Sequence, residues 1–143
     1  MDWFVRWFVK SSLAWLGLGG LMGLLMALHP GWIIYRPAHV HMNLLGFVTM
    51  MIFGVAYHVL PRFSGHVLAS RRWAGAQWWF SNAGLALMVG GFLLAPHIPT
   101  ASRAVLGLGG SLSGLGALIF IVNIWRTLDG PPVVQPLVRQ SRT

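Results

Sequence analysis

Cysteine is absent, which excludes disulfides, thiolate metal sites and the C-x-x-C-H attachment of c-type haem. Acid is nearly absent: Asp2 and Asp129 are the only two carboxylate side chains in 143 residues. A pair of carboxylates for general acid–base work within a core is therefore excluded, and that work would fall to histidine or tyrosine. Nucleophile triads and phosphate-binding loops are missing as well, so no self-sufficient catalytic site is expected. Charge of either sign is scarce, at 8% of the chain, against ~25% in ordinary soluble domains.

Apolar residues fill the space, making up 56% of the chain, with eight Trp and eight Phe. The formal charge of +8 comes from ten basic residues. They flank apolar runs in ones and twos and form no groove-tracking stripe, so they suit membrane topology and anionic lipid, and nucleic acid is not an expected partner.

Four runs are long enough to cross ~30 Å of hydrocarbon: residues 4–28, 37–60, 73–95 and 102–125. Pro30, Pro61, Pro96 and Pro99 fall in the gaps, and Pro37 suits a first helical turn. Four runs without alternating polarity cannot close a barrel. The fold class expected is all-α, an integral membrane four-helix transmembrane bundle over residues 1–127. The proline-rich remainder, 128–143, reads as a disordered cytoplasmic tail. The first run ends in "MALHPG" with no small-residue cleavage site, and so reads as a retained helix. Arg6, Lys10, Arg62, Arg71, Arg72, Arg126, Arg139 and Arg142 lie on one side of the spans, and Arg36 and Arg103 on the other. That asymmetry places both termini in the cytoplasm of a multi-pass protein.

On this topology His29, His39, His41 and His97 share the outer level. On a helical wheel at ~100° per residue, His39 lines up with Asn43, Gly46, Met50 and Tyr57, with Gly54 close by. That is the small and polar face a helix turns toward neighbours in a membrane. His41 falls ~200° away, beside Leu45, Val48, Ile52 and Val59, so it cannot share one iron with His39, and a wetted helix-end role suits it. An ionisable residue inside a membrane marks a functional site, or else a polar group bonded to water or headgroups. His58 lies ~28 Å further along the helix, and His66 reads as a solvated loop residue. Gly19/Gly23 and Gly110/Gly114 are spaced for close helix approach.

The stretch "RPAH", followed by a glycine-containing apolar helix ending in "YHVLPR" and then by "LASRRWAGAQWWFSNAG", resembles haem–copper oxidase subunit I, most closely the cbb3-type oxidases and nitric oxide reductases. The likeness covers roughly the first two-thirds of the chain. It implies an Arg-Pro-x-His entry whose histidine, here His39, is an axial ligand of haem b. The "HMNLL" around His41 is similar to the reductase branch. The family's binuclear centre has no counterpart in these four helices, so a complete oxidase is not expected.

The resemblance therefore implies a haem b protein acting in electron transfer, fed by a respiratory-chain donor, or in binding or sensing a diatomic gas such as NO or O2. His29, His41 and His97 are the candidates for a second ligand, and Arg36 and Arg103 are natural partners for haem propionates. Two other readings stay open: a membrane copper- or zinc-handling protein using the outer histidines, and a cofactor-free accessory subunit. The family's second axial ligand is missing from its usual place in these four helices, which further implies a homodimer whose second copy would cover the exposed haem face.

Overall fold

The computed structural model describes residues 1–131; the expected disordered tail lies, from residue 132 onward, outside the described residues. The described residues form four long helices: α1 (Trp3–Leu28), α2 (Pro30–Ser64), α3 (Arg71–Leu94) and α4 (Pro99–Leu128). No strand is assigned among them. α1, α2 and α4 are each long and apolar enough to cross a membrane. At 24 residues α3 has the length but not the hydropathy. Its polar residues are turned inward, with Gln77 and Ser81 buried. The buried face of α3 can carry polar groups that a lipid-facing one cannot, while Trp73 and Trp79 mark its exposed face.

Helix boundaries follow the punctuation with corrections. α2 begins at Pro30, not Pro37: a 3₁₀ turn over Pro30–Tyr35 leads into an α-helical segment at Arg36–His41. Pro37 still sits in the first turn of that segment, where its missing N–H costs nothing. Met42–Thr49 is π-helical, and α geometry resumes from Met50. Pro61 lies inside the last turn, and the helix ends at Ser64 before Gly65, whose φ of 69° supplies the left-handed cap. Ser70 caps α3 by accepting from the Trp73 N–H at 3.2 Å.

The helices form two hairpins, α1–α2 and α3–α4. Asp2 pairs with Arg71, and the Ser70 backbone exchanges hydrogen bonds with the Asn123 side chain at 2.9 and 3.0 Å. The start of α1, the α2–α3 turn and the end of α4 therefore share one end of the bundle. There the core is aromatic: Phe4, Phe8 and Tyr57 are buried, with Phe53 and Phe120 packed against them. Tyr57 donates to Gln77 Oε1, and Asn123 Nδ2 approaches the Tyr57 hydroxyl at 3.4 Å. Such partners offset the cost of burying polar groups, whereas Gln77 Nε2 and Ser81 Oγ are buried without one among the described residues.

The expected glycine pairing is half corrected. Gly19 and Gly23 face their own α2, where an added Cβ would strike Asn43 and His39. α4 meets α3 through Gly109 and Gly116, while Gly110 and Gly114 look into open space.

Candidate functional site

His39 sits on the α1-facing side of α2, as the wheel requires. Its Nδ1 lies 2.8 Å from the carbonyl oxygen of Gly19. A carbonyl only accepts, so this bond places the proton on Nδ1. Asn43 Nδ2 is 3.4 Å from the same nitrogen, and two donors cannot bond each other. Asn43 instead donates to the His39 carbonyl at 2.9 Å. The Nε2 lone pair of His39 is left over. This is the arrangement of a ligating histidine, whose non-ligating N–H is held by a backbone carbonyl that fixes ring and tautomer.

The ring lies against Gly23, where a Cβ would come within 2.9 Å of Cε1. Any side chain at this position would push the ring out of its place. His39 is half-buried, and it does not line any of the described cavities. The donor chemistry of His39 thus fits a haem iron.

The other outer-level histidines have separate surroundings. The His41 ring lies 4.7 Å from that of Phe92 on α3, and its Nδ1 is 2.8 Å from the Pro37 carbonyl. The ring packs beside α3 while this bond stays exposed to the surroundings. His97 Nε2 accepts or donates at 3.2 Å with the Tyr35 hydroxyl. His29, exposed at the α1–α2 turn, has its ring 5.8 Å from Trp32. Among the described residues no group of three metal-binding side chains gathers, so the copper- or zinc-site reading gains no geometric support. Arg36 and Arg103 are both exposed. The Tyr35–His97 contact holds their two helix starts at the same end of the bundle.

Sequence reasoning missed two features. One is the Gly19 carbonyl, a backbone acceptor that no side-chain motif announces. The other is the π-helical stretch directly after His41, where Thr49 Oγ1 donates to the Leu44 carbonyl five residues back. Single π turns occur disproportionately at functional sites, but their signal lies in backbone bonding.

Residues 33–106 match the family described as cytochrome C and quinol oxidase polypeptide I. The matched span holds Arg36, His39, His41, His97 and Arg103, and leaves out His29. A Streptomyces coelicolor protein named as a cytochrome c oxidase subunit 1-beta is 28% identical over 129 residues, covering 77% of this chain. The chain corresponds to only 22% of that relative's length. No solved structure matches. The family match extends over more than half of the chain, from the first turn of α2 to the first turns of α4. On that ground the chain belongs to the cytochrome c and quinol oxidase polypeptide I family.

Proposed function

We propose that this chain is a haem b-binding subunit of a bacterial cytoplasmic membrane, acting in electron transfer or in binding a diatomic gas. The observation that carries the reading is the His39 ring, with Nδ1 committed to the Gly19 carbonyl and Nε2 left to ligate. The family match supports it, since the Arg-Pro-x-His entry lies within the matched residues. A bound haem would supply a one-electron couple or an iron able to bind a diatomic gas. The residues of this chain would do the holding: α1 presses the His39 ring into one orientation, and Arg36 and Arg103 offer guanidinium forks to propionates at the same end.

All four helices span the membrane in this proposal, with both termini cytoplasmic. α3 crosses with Gln77 and Ser81 turned into the bundle. The separate surroundings of His29, His41 and His97 support a second ligand and haem cover from a second copy, making the working unit a homodimer. A respiratory-chain donor would supply electrons from outside the pair.

The deciding experiment is haem content per chain with the dithionite-reduced spectrum, for the parent and for His39→Ala. The substitution abolishes stoichiometric haem while leaving a membrane-inserted protein. Full haem content with an unchanged α band would defeat the assignment. His58→Ala and His66→Ala, at the opposite end, retain the parent spectrum.

A further inference from the structure

The end of the bundle away from His39 has a chemistry of its own. A cavity of about 360 Å³ opens where the start of α1 meets the end of α2 and the α2–α3 turn. That volume falls at the lower end of the ~300–1,000 Å³ typical of ligand sites. Its polar lining consists of Asp2, Tyr57, Arg62, His66 and Arg71. Two arginines against one carboxylate leave a positive balance, before any contribution from His66.

Each cation is anchored yet keeps donors in hand. Arg62 uses Nη1 on the His58 carbonyl and lies 2.9 Å from the His58 ring. Arg71 uses Nη2 on Asp2, and its side chain remains 69% exposed. A guanidinium has five N–H groups, so most of each fork is uncommitted. His66 has its Nδ1 sealed from solvent without a partner among the described residues. That leaves Nε2 as the ring atom able to meet a ligand. The cavity also borders the start of α3, whose positive end favours anions.

The rim separates two sources of anion. Val67, which lines the cavity, is 72% exposed, and Phe63, next in sequence to Arg62, is 87% exposed. Free phosphate would gain nothing from such a rim, but acyl chains would. Exposed Trp3, Trp73 and Trp125 stand toward the same end, where an aromatic belt marks the headgroup level.

We infer that this cavity binds the phosphodiester headgroup of an anionic phospholipid, with Arg62 and Arg71 on the phosphate and Phe63 and Val67 among the acyl chains. One phosphodiester charge balances the one net positive charge of the lining. The site is independent of haem and would hold in a chain that bound none.

The test is native mass spectrometry of the full chain in detergent, titrated with phosphatidylglycerol or phosphatidylcholine. Phosphatidylglycerol is retained at one per chain, with several-fold preference over phosphatidylcholine. Arg62→Gln and Arg71→Gln each lower retention about fivefold, the worth of one basic residue at an anionic surface. Arg62→Lys loses less, and Arg72→Gln, an exposed cation of the same level outside the lining, loses nothing. Equal losses from Arg72→Gln would show diffuse surface charge and overturn the site. So would displacement of the lipid by millimolar inorganic phosphate, or parent protein without headgroup preference. Should a glutamine variant fail to fold, the parent's lipid preference and Arg62→Lys still decide.

Discussion

Glycine lines both helix hairpins, but it does different work in each. Between α1 and α2 a Cβ would strike side chains: Asn43 Nδ2 at 2.6 Å from Gly19, His39 Cε1 at 2.9 Å from Gly23, Phe8 Cβ at 2.9 Å from Gly54. Between α3 and α4, at Gly84 and Gly109, it would strike backbone as well. From Gly109 it meets the Gly84 carbonyl and the Met88 nitrogen, both at 2.7 Å; from Gly84, the Ser113 nitrogen at 2.6 Å. Lipid provides no hydrophobic drive for helices to associate, so close approach and packing must do so. The α3–α4 hairpin is accordingly, around Gly84 and Gly109, a seam of main chain on main chain. The α1–α2 hairpin is a holder, in which glycines are the spaces that rings and amides fill. A seam cannot yield to an added atom, whereas a holder can move the far end of a side chain.

The largest effect should come from breaking the seam. Gly109→Leu forces a whole side chain against the α3 backbone. Overpacking costs ~1–3 kcal/mol where side chains can adjust, and here they cannot, so the cost lies at or above the top of that range. A denaturant titration in mixed micelles measures it, and a loss below about 1 kcal/mol would show the two helices free to separate. Asn123→Ala comes next. It removes both bonds to the Ser70 backbone and the approach to Tyr57. Buried groups left without partners cost ~1–3 kcal/mol. The same titration reads it, and hydrogen exchange at Ser70 should rise with it.

These two sites also show what the sequence could and could not announce. The four apolar runs and the prolines between them marked four helices, because length and punctuation are local properties. The face of α2 holding His39, Asn43, Gly46, Met50 and Tyr57 was legible from α periodicity, and Gly46, Met50, Gly54 and Tyr57 are indeed buried. Choosing between glycines was not possible. Gly109 and Gly110 are adjacent and chemically identical, and only the orientation of α4 makes one essential to the seam. That helix is apolar nearly all round, so it carries no amphipathic signal to orient it. The family was legible in a short polar motif at a helix entry, while the partner of His39 was hidden in a backbone carbonyl.

Gly23→Ala sharpens the comparison on the holder side. The new methyl lies 2.9 Å from Cε1 of His39, and the imidazole is the end of a side chain that can swing. Replacing glycine in a helix interior also gains up to ~1 kcal/mol of propensity. Stability should therefore change by less than about 1 kcal/mol in either direction. Function should respond more strongly, because a displaced ring loses its Nδ1 bond to Gly19 and with it a fixed direction for Nε2. Haem content well below the parent's in a protein of parental stability is the expected result. Full haem occupancy would mean that the α1 cradle does not orient the ligand.

The smallest effect on the fold belongs to Gly110 and Gly114, neither of which has an atom within 4 Å of an added Cβ. Within one chain, alanine at either position should be neutral or slightly stabilising, by at most ~1 kcal/mol from helix propensity. Their exposure gives them a separate use. Gly107, Gly110 and Gly114 are all open on α4, at spacings of three and four residues that place them along one side of the helix. A two-fold pairing through this side would bring two main chains together as Gly84 and Gly109 do within the chain. Leucine at both Gly110 and Gly114 would then leave the unfolding titration unchanged and convert a dimer into a monomer. Mass in detergent, read beside haem per chain, tests this. A dimer that survives both leucines would move the contact to another face. A haem-replete monomer with two axial histidines would remove the need for a second copy altogether.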